Sequence, residues 1–235
     1  IQGGNYRGTA WTGTSRDTSK GMVGSFTLSG YRYGHRSSSF DASIEQMISA
    51  GIHICIAAGN SHQKIDLPGG IDYNNYFLEN TTQRYYHRGG SPFSENAMMV
   101  GNLDSSIHSS GLEQKASSSE NGPGVPLYAP GTYIRSAYIS NGGTAYHSNS
   151  SYYQRSISGT SMASPQVCGV GACILQAHPT LTPAELRQRI LDLTSTGNIY
   201  STGLDDDYTN SRSIKDGNNN LLYFPYTREH ALTIT

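Results

Sequence analysis

The stretch SISGTSMASPQVCGVGACILQAHP, residues 156–179, decides how this chain is read. It sets Gly159, Thr160, Ser161, Ala163, Ser164 and Pro165 in one tight turn and then runs into an apolar helix, expected from about Ser161 to Ala177. At a helix N-terminus the unpaired N–H groups and the macrodipole favour negative charge by a fraction of a kcal/mol up to about 2. A serine that attacks a carbonyl builds an oxyanion beside itself, so a hydroxyl at this point suits acyl transfer. Gly159 and Ala163 leave room for a substrate backbone. Behind them Gly169, Gly171 and Ala172 interleave with Val167, Val170 and Ile174, a pattern for close packing and hence for a rigid base. The competing reading is a serine that merely caps a core helix.

The rest of the composition narrows the field. A chain of 235 residues forms one sizeable domain more readily than two small ones. Its 35% hydrophobic and 14% charged content, with 27 Gly and 17 Tyr, describes a globular, polar, loop-rich protein. A net charge of -1 points to neither nucleic acid nor an anionic membrane as a partner. No apolar run approaches the roughly 20 residues that span a bilayer. The start, IQGGNYRGTAW, has neither an initiator Met nor a signal-peptide pattern and reads as a cut end. Cys55 lies in an apolar run; Cys168 and Cys173 lie on one helix, about 140° apart around its axis, which disfavours a metal pair. All three are expected to be small buried hydrophobes.

Along the chain, residues 1–39 form a Gly/Ser/Thr/Tyr-rich segment with one strand candidate in GMVGSFTLSG. From residue 40 to 195 the pattern sharpens into a core of alternating elements. FDASIEQMISAG sets Ile44, Met47 and Ile48 on one helical face with Gly51 as the stop, and the strand IHICIAA follows at once. Helix, tight turn and apolar strand make half of a parallel-sheet unit. Residues 61–96 form a long polar and aromatic connection, the length of a functional surface or an insertion. AMMVGNLD and VPLYAPG are further strands. TPAELRQRILDL opens with Thr182 as cap, Pro183 at the first helical position and Glu185 three residues after the cap. Residues 196–235 read as a polar C-terminal extension carrying the acidic run 205–207 and a late strand or docking segment, LLYFPY.

These motifs resemble the catalytic domain of subtilisin-like serine proteases. GTSMASP matches that family's serine motif in all seven residues, and AAGN at 57–60 resembles its oxyanion-hole strand end. MMVGNLDSS, KASSSENGPGVPLYAPG and SGTSMASPQVCGVGACILQAHPTLTPAELRQRI continue the likeness in the family's order, over about residues 40–195. The resemblance implies an α/β, three-layer fold with a mainly parallel sheet, here lacking its N-terminal part. It implies Ser161 as nucleophile and Asn60 as side-chain donor to the oxyanion, with the Ser161 N–H as second donor. Ala57, Ala58 and Gly59 would line the edge of the specificity pocket, and Thr160 would adjoin the substrate.

A serine nucleophile needs a general base, and the base an orienting carboxylate. In this family both precede the oxyanion Asn by a long stretch, and only 59 residues precede Asn60 here. Asp17 and His35 are faint echoes, but neither stands in the apolar strand or small-residue helix the family requires, and they are only 18 residues apart. His62 and His147 are the other candidate improvised bases. The expectation is therefore the nucleophile half of a serine endopeptidase, acting on polypeptides and completed by an N-terminal fragment of the same precursor that carries Asp and His. The alternative is an inactive structural or binding module in a larger assembly such as a virion. No cofactor is expected: a calcium site at residues 205–207 lacks the alternating oxygen ligands of a calcium loop. Scarce charge and a polar, Gly-rich surface suit an extracellular or virion setting.

Overall fold

The computed structural model describes residues 36–225, apart from 71, 75, 80, 81, 86, 202–210, 215 and 216, together with the backbone of Gly21 and Met22. In chain order the elements are β1 (Gly21–Met22), α1 (Ser38–Ser49), β2 (Cys55–Ala57), β3 (Tyr76–Glu79), β4 (Thr82–Tyr85), β5 (Met98–Leu103) and β6 (Leu127–Pro130). They continue as β7 (Ile134–Tyr138), β8 (Thr144–Tyr146), β9 (Asn149–Ile157), α2 (Thr160–Ala177), α3 (Pro183–Asp192), β10 (Ser195–Thr196) and β11 (Asn220–Leu221). The central sheet has the order β10-β11-β6-β5-β2, parallel throughout except for the β10–β11 pair.

Side-chain alternation sorts this sheet into a three-layer α/β core. On β5, Met98 and Val100 face one way and Met99 and Leu103 the other; on β6, Leu127 and Ala129 oppose Tyr128. The Met98 face packs on α2 and α3 through Ala163, Val167, Ile174, Leu186 and Ile190. The Met99 face packs on α1 through Ile44, joined by Ile56, Phe93 and Ile65. Every residue of β5 is buried, as a parallel strand covered on both faces requires.

Both sequence-derived helix ends hold. After α1, the Gly51 N–H donates to the Ile48 carbonyl and the Ile52 N–H to the Met47 carbonyl, with Gly51 at φ +87°. That is a Schellman stop. At α3, Thr182 Oγ1 accepts from the Glu185 N–H, and Glu185 Oε2 accepts from the Thr182 N–H at 2.8 Å. Thr182→Ala should therefore lower the unfolding free energy by about 1 kcal/mol in urea titration, since the cap is exposed and acts locally.

One expectation is made specific and three are corrected. The 61–96 connection holds an ordered insertion: β3 and β4 form a hairpin, β1 adds parallel to β3, and the buried Lys64–Asp72 ion pair closes at 2.7 Å. The described part of 196–235 is no separate extension, because β11 belongs to the central sheet and Ile199 and Ile214 are core residues. Residues 134–157 form an antiparallel ribbon, β7-β9-β8, where no strand was expected; most of its residues are exposed. Finally, Cys168 and Cys173 are exposed and only Cys55 is partly buried. β2, β5, β6 and α3 cover α2 from one side, with Cys168 at the margin against Cys55, and among the described residues the face of Pro165, Gly169, Ala172 and Cys173 is exposed. Of the glycines expected to pack tightly, Gly171 lies against Leu186 and Ile190, but Gly169 has nothing nearby. No described helix is long and apolar enough to cross a membrane.

Candidate active site

Two ends meet at the C-terminal edge of the sheet, where open α/β sheets place their sites. The chain leaves β2 through Ala58 and Gly59 to Asn60. It leaves the β7–β9 ribbon through Ser158 and Gly159 into the first turn of α2. Gly159 has φ +153° and ψ 168°, a conformation essentially restricted to glycine, and its N–H donates to the Gly131 carbonyl at 2.9 Å. This bend lets α2 begin directly beside Asn60.

The contact is specific. The Thr160 N–H donates to Asn60 Oδ1 at 3.0 Å, and Thr160 Oγ1 lies 3.3 Å from the same oxygen. In return the Gly59 N–H donates to Thr160 Oγ1 at 3.2 Å. Because a main-chain N–H can only donate, the amide atom facing it is the oxygen, and Asn60 Nδ2 faces away as a donor. The Met162 and Ala163 N–H groups both turn to the Gly159 carbonyl. Among the described residues the Ser161 N–H and Asn60 Nδ2 have no acceptor, and both residues are exposed. Pro165 has no N–H to offer the Ser161 carbonyl, so the first turn of α2 stays open on that side too.

Next to this edge lies a cleft of ≈ 250 Å³, walled by residues 57–61 and by residues 89–92, with Gln63 and Glu120 also lining it. Ala57, Ala58 and Gly59 are thus at a cavity wall. Thr160 is not: it is 0% exposed and offers no surface to a substrate, so the expected substrate contact is instead a brace on Asn60.

Among the described residues no histidine is hydrogen-bonded to Ser161. His62 Nδ1 lies 3.2 Å from the Lys115 ammonium, and His147 packs on Tyr146. Asp17, His35 and residues 205–207 lie outside the described residues. Among the described residues there is no cluster of three metal-ligating side chains.

Sequence reasoning missed Glu120. Its carboxylate accepts the Ser61 N–H at 3.1 Å and the Gln63 N–H at short range. Burial pushes its carboxyl up to about 7, against the pull of those two N–H groups and of Lys115. A lone acid after the serine-rich run 117–119 gives no local signal, because its partners are 57 and 59 residues away. A carboxyl whose pKa rises from 4.5 to about 7 on folding stabilises the fold below 4.5, and that contribution is lost as pH rises to 7. At about 1.36 kcal/mol per unit, the wild type should lose roughly 3 kcal/mol across that window relative to Glu120→Gln. Paired urea titrations at pH 4.5 and 8 measure it.

Comparison with known proteins gives the same picture. The model of the subtilase family matches residues 13–219. Subtilisin-like protease 1 of Pseudogymnoascus destructans is 31% identical over 76% of this chain and 36% of its own length. Serine protease AprX of Bacillus subtilis is 33% identical over 68% of this chain and 35% of its own. The solved structure of a cold-adapted subtilisin-like serine proteinase superposes with a TM-score of 0.54 at 25% identity, over 83% of this chain and 53% of that one. The chain spans about a third of the length of these curated relatives. With fold, ordered motifs and family match in agreement, the chain belongs to the subtilase family.

Proposed function

We propose that this chain carries the nucleophile and the oxyanion hole of a serine endopeptidase. The observation that supports the reading is the bond from the Thr160 N–H to Asn60 Oδ1, which holds Asn60 beside the residue that precedes Ser161. Ser161 Oγ attacks the scissile carbonyl of a polypeptide, and the oxyanion is held by Asn60 Nδ2 and the Ser161 N–H. The leaving amine departs, and water hydrolyses the acyl-enzyme. Ala57, Ala58 and Gly59 line the pocket for the side chain that precedes the cleaved bond.

The proton from Ser161 goes to an imidazole, which passes it to the leaving amine, and that imidazole and its orienting carboxylate are supplied by residues N-terminal to Ile1. Two features favour that source. Among the described residues β2 is the outermost strand of the central sheet, and the face of α2 bearing Gly169, Ala172 and Cys173 is exposed. A strand and a helix of small residues would complete both. The setting on this reading is extracellular or virion-associated, and no cofactor takes part.

The test is a fluorophosphonate probe on the protein that includes its encoded upstream segment, with the adduct mapped by mass spectrometry. An adduct on Ser161 is expected. No adduct, with the segment present and folded, would favour the second reading, a protease-like structural module; the lack of a histidine partner for Ser161 among the described residues is what keeps that reading in view.

A further inference from the structure

We propose that Glu120 is a positioning residue for the oxyanion donor: its carboxylate clamps the main-chain N–H groups of Ser61 and Gln63 and so fixes the turn that presents Asn60. The proposal rests on the serine-protease reading for its catalytic consequence, and on geometry for the clamp itself.

The turn needs holding. Gly59 has φ +121° and His62, a side-chain-bearing residue, φ +53°. Glycine adopts its value freely, but a side-chain-bearing residue such as His62 keeps a left-handed backbone where its surroundings hold it. Residues 118–121 do that along the whole turn. The Glu120 N–H donates to the Gly59 carbonyl at 3.1 Å, the His62 N–H to the Ser118 carbonyl at 2.8 Å, and the Asn121 N–H to the Gln63 carbonyl at 3.1 Å. The Glu120 side chain then passes under Gly59, where a Cβ would meet its Cγ at 2.8 Å, and reaches the Ser61 and Gln63 N–H groups beyond Asn60. Asn60 is thus pinned on one side by Thr160 and on the other by a carboxylate that grips the next residue.

Only the ionised carboxylate does this fully. Each oxygen then accepts one N–H, whereas protonation turns one of them into a hydroxyl, a weaker acceptor that loosens its hold on one N–H. The charged and titratable groups around it are Lys115 on its own segment and His62 and Lys64 on the turn; Lys64 is paired with Asp72, and residues 89–92 carry none. Burial places the proton exchange near neutral pH. The clamp therefore tightens as pH rises through about 7, and the oxyanion donor with it.

The first measurement uses the chain as it is. The ¹⁵N-labelled protein is titrated from pH 5 to 9, and the Ser61 and Gln63 amide signals should shift together with a midpoint near 7. Glu120→Gln should abolish that shared shift. The second measurement uses the protein with its upstream segment. Glu120→Gln should lower kcat several-fold to about 30-fold with KM unchanged, and should lower it no further in an Asn60→Ala background. A flat titration of both amides in the wild type overturns the clamp, and this holds even if Glu120→Gln fails to fold. An equal loss of kcat with and without Asn60 overturns positioning in favour of a general structural role. Absence of turnover in the wild type would count against the protease reading alone, because the amide titration stands or falls by itself.

Discussion

Fluorophosphonate labelling should be absent from the 235-residue chain alone, appear when the encoded upstream segment is added, and vanish again in Ser161→Ala. A serine hydroxyl is a weak nucleophile until an adjacent base takes its proton. Among the described residues no histidine is in place to do so, and the candidates His62 and His147 are bonded or packed elsewhere. What remains without the base is the oxyanion hole and substrate binding, roughly 10³–10⁴ over water. Loss of the serine or of the base should cost about the same, on the order of 10⁶ in turnover, because the two act as a unit; the magnitude is carried over from a subtilisin. On the proposed reading the upstream segment also has a structural task. It would cover the edge of β2 and the side of α2 that are open among the described residues, so circular dichroism and proteolysis should show the mixture to be more resistant than the chain alone. Ser161→Ala should keep that resistance, since Ser161 is exposed. Robust labelling of the isolated chain would sink the divided-site reading.

The sequence was most legible where short-range chemistry repeats a rule. The capping box at Thr182 and Glu185 and the glycine stop after α1 need only a few neighbouring residues, and both stand as read. The buried strands β5 and β6 were visible as apolar runs between turn signals. Long-range chemistry was legible only through the family resemblance: nothing local ties Asn60 to a helix start 100 residues later. Where neither rule nor resemblance reached, the reading failed for physical reasons. The β7–β9 ribbon is mostly exposed, so it shows no two-residue alternation of apolar and polar residues. Ile199 and Ile214 are isolated apolar residues in polar surroundings, and only the fold reveals that they enter the core. The cysteines of α2 were judged by the usual burial of their type, which presumes a helix covered on all sides. Glu120 had no neighbouring partner to betray it.

Asn60 offers the sharpest separation of chemistry from stability. Asn60→Ala should lower kcat by roughly 10²–10³, about 2.7–4 kcal/mol, with little change in KM; the magnitude is that of a single oxyanion donor established on a subtilisin. The same substitution removes the acceptor for the Thr160 N–H, a group on a fully buried residue. An unsatisfied buried donor costs about 1–3 kcal/mol, so the unfolding midpoint should fall as well. Asn60→Asp divides these effects. An aspartate oxygen still accepts from Thr160, which preserves the fold and the bend at Gly159. Its other oxygen, where Nδ2 had donated, can only accept, and its negative charge opposes the developing oxyanion. Asn60→Asp should therefore be at least as damaging to kcat as Asn60→Ala while its urea midpoint stays near that of the wild type. Turnover measured with the upstream segment present, set beside urea unfolding of the same variants, distinguishes the cases. If Asn60→Asp retains wild-type kcat, Asn60 is only the brace that holds the start of α2, and the oxyanion must be met by other donors.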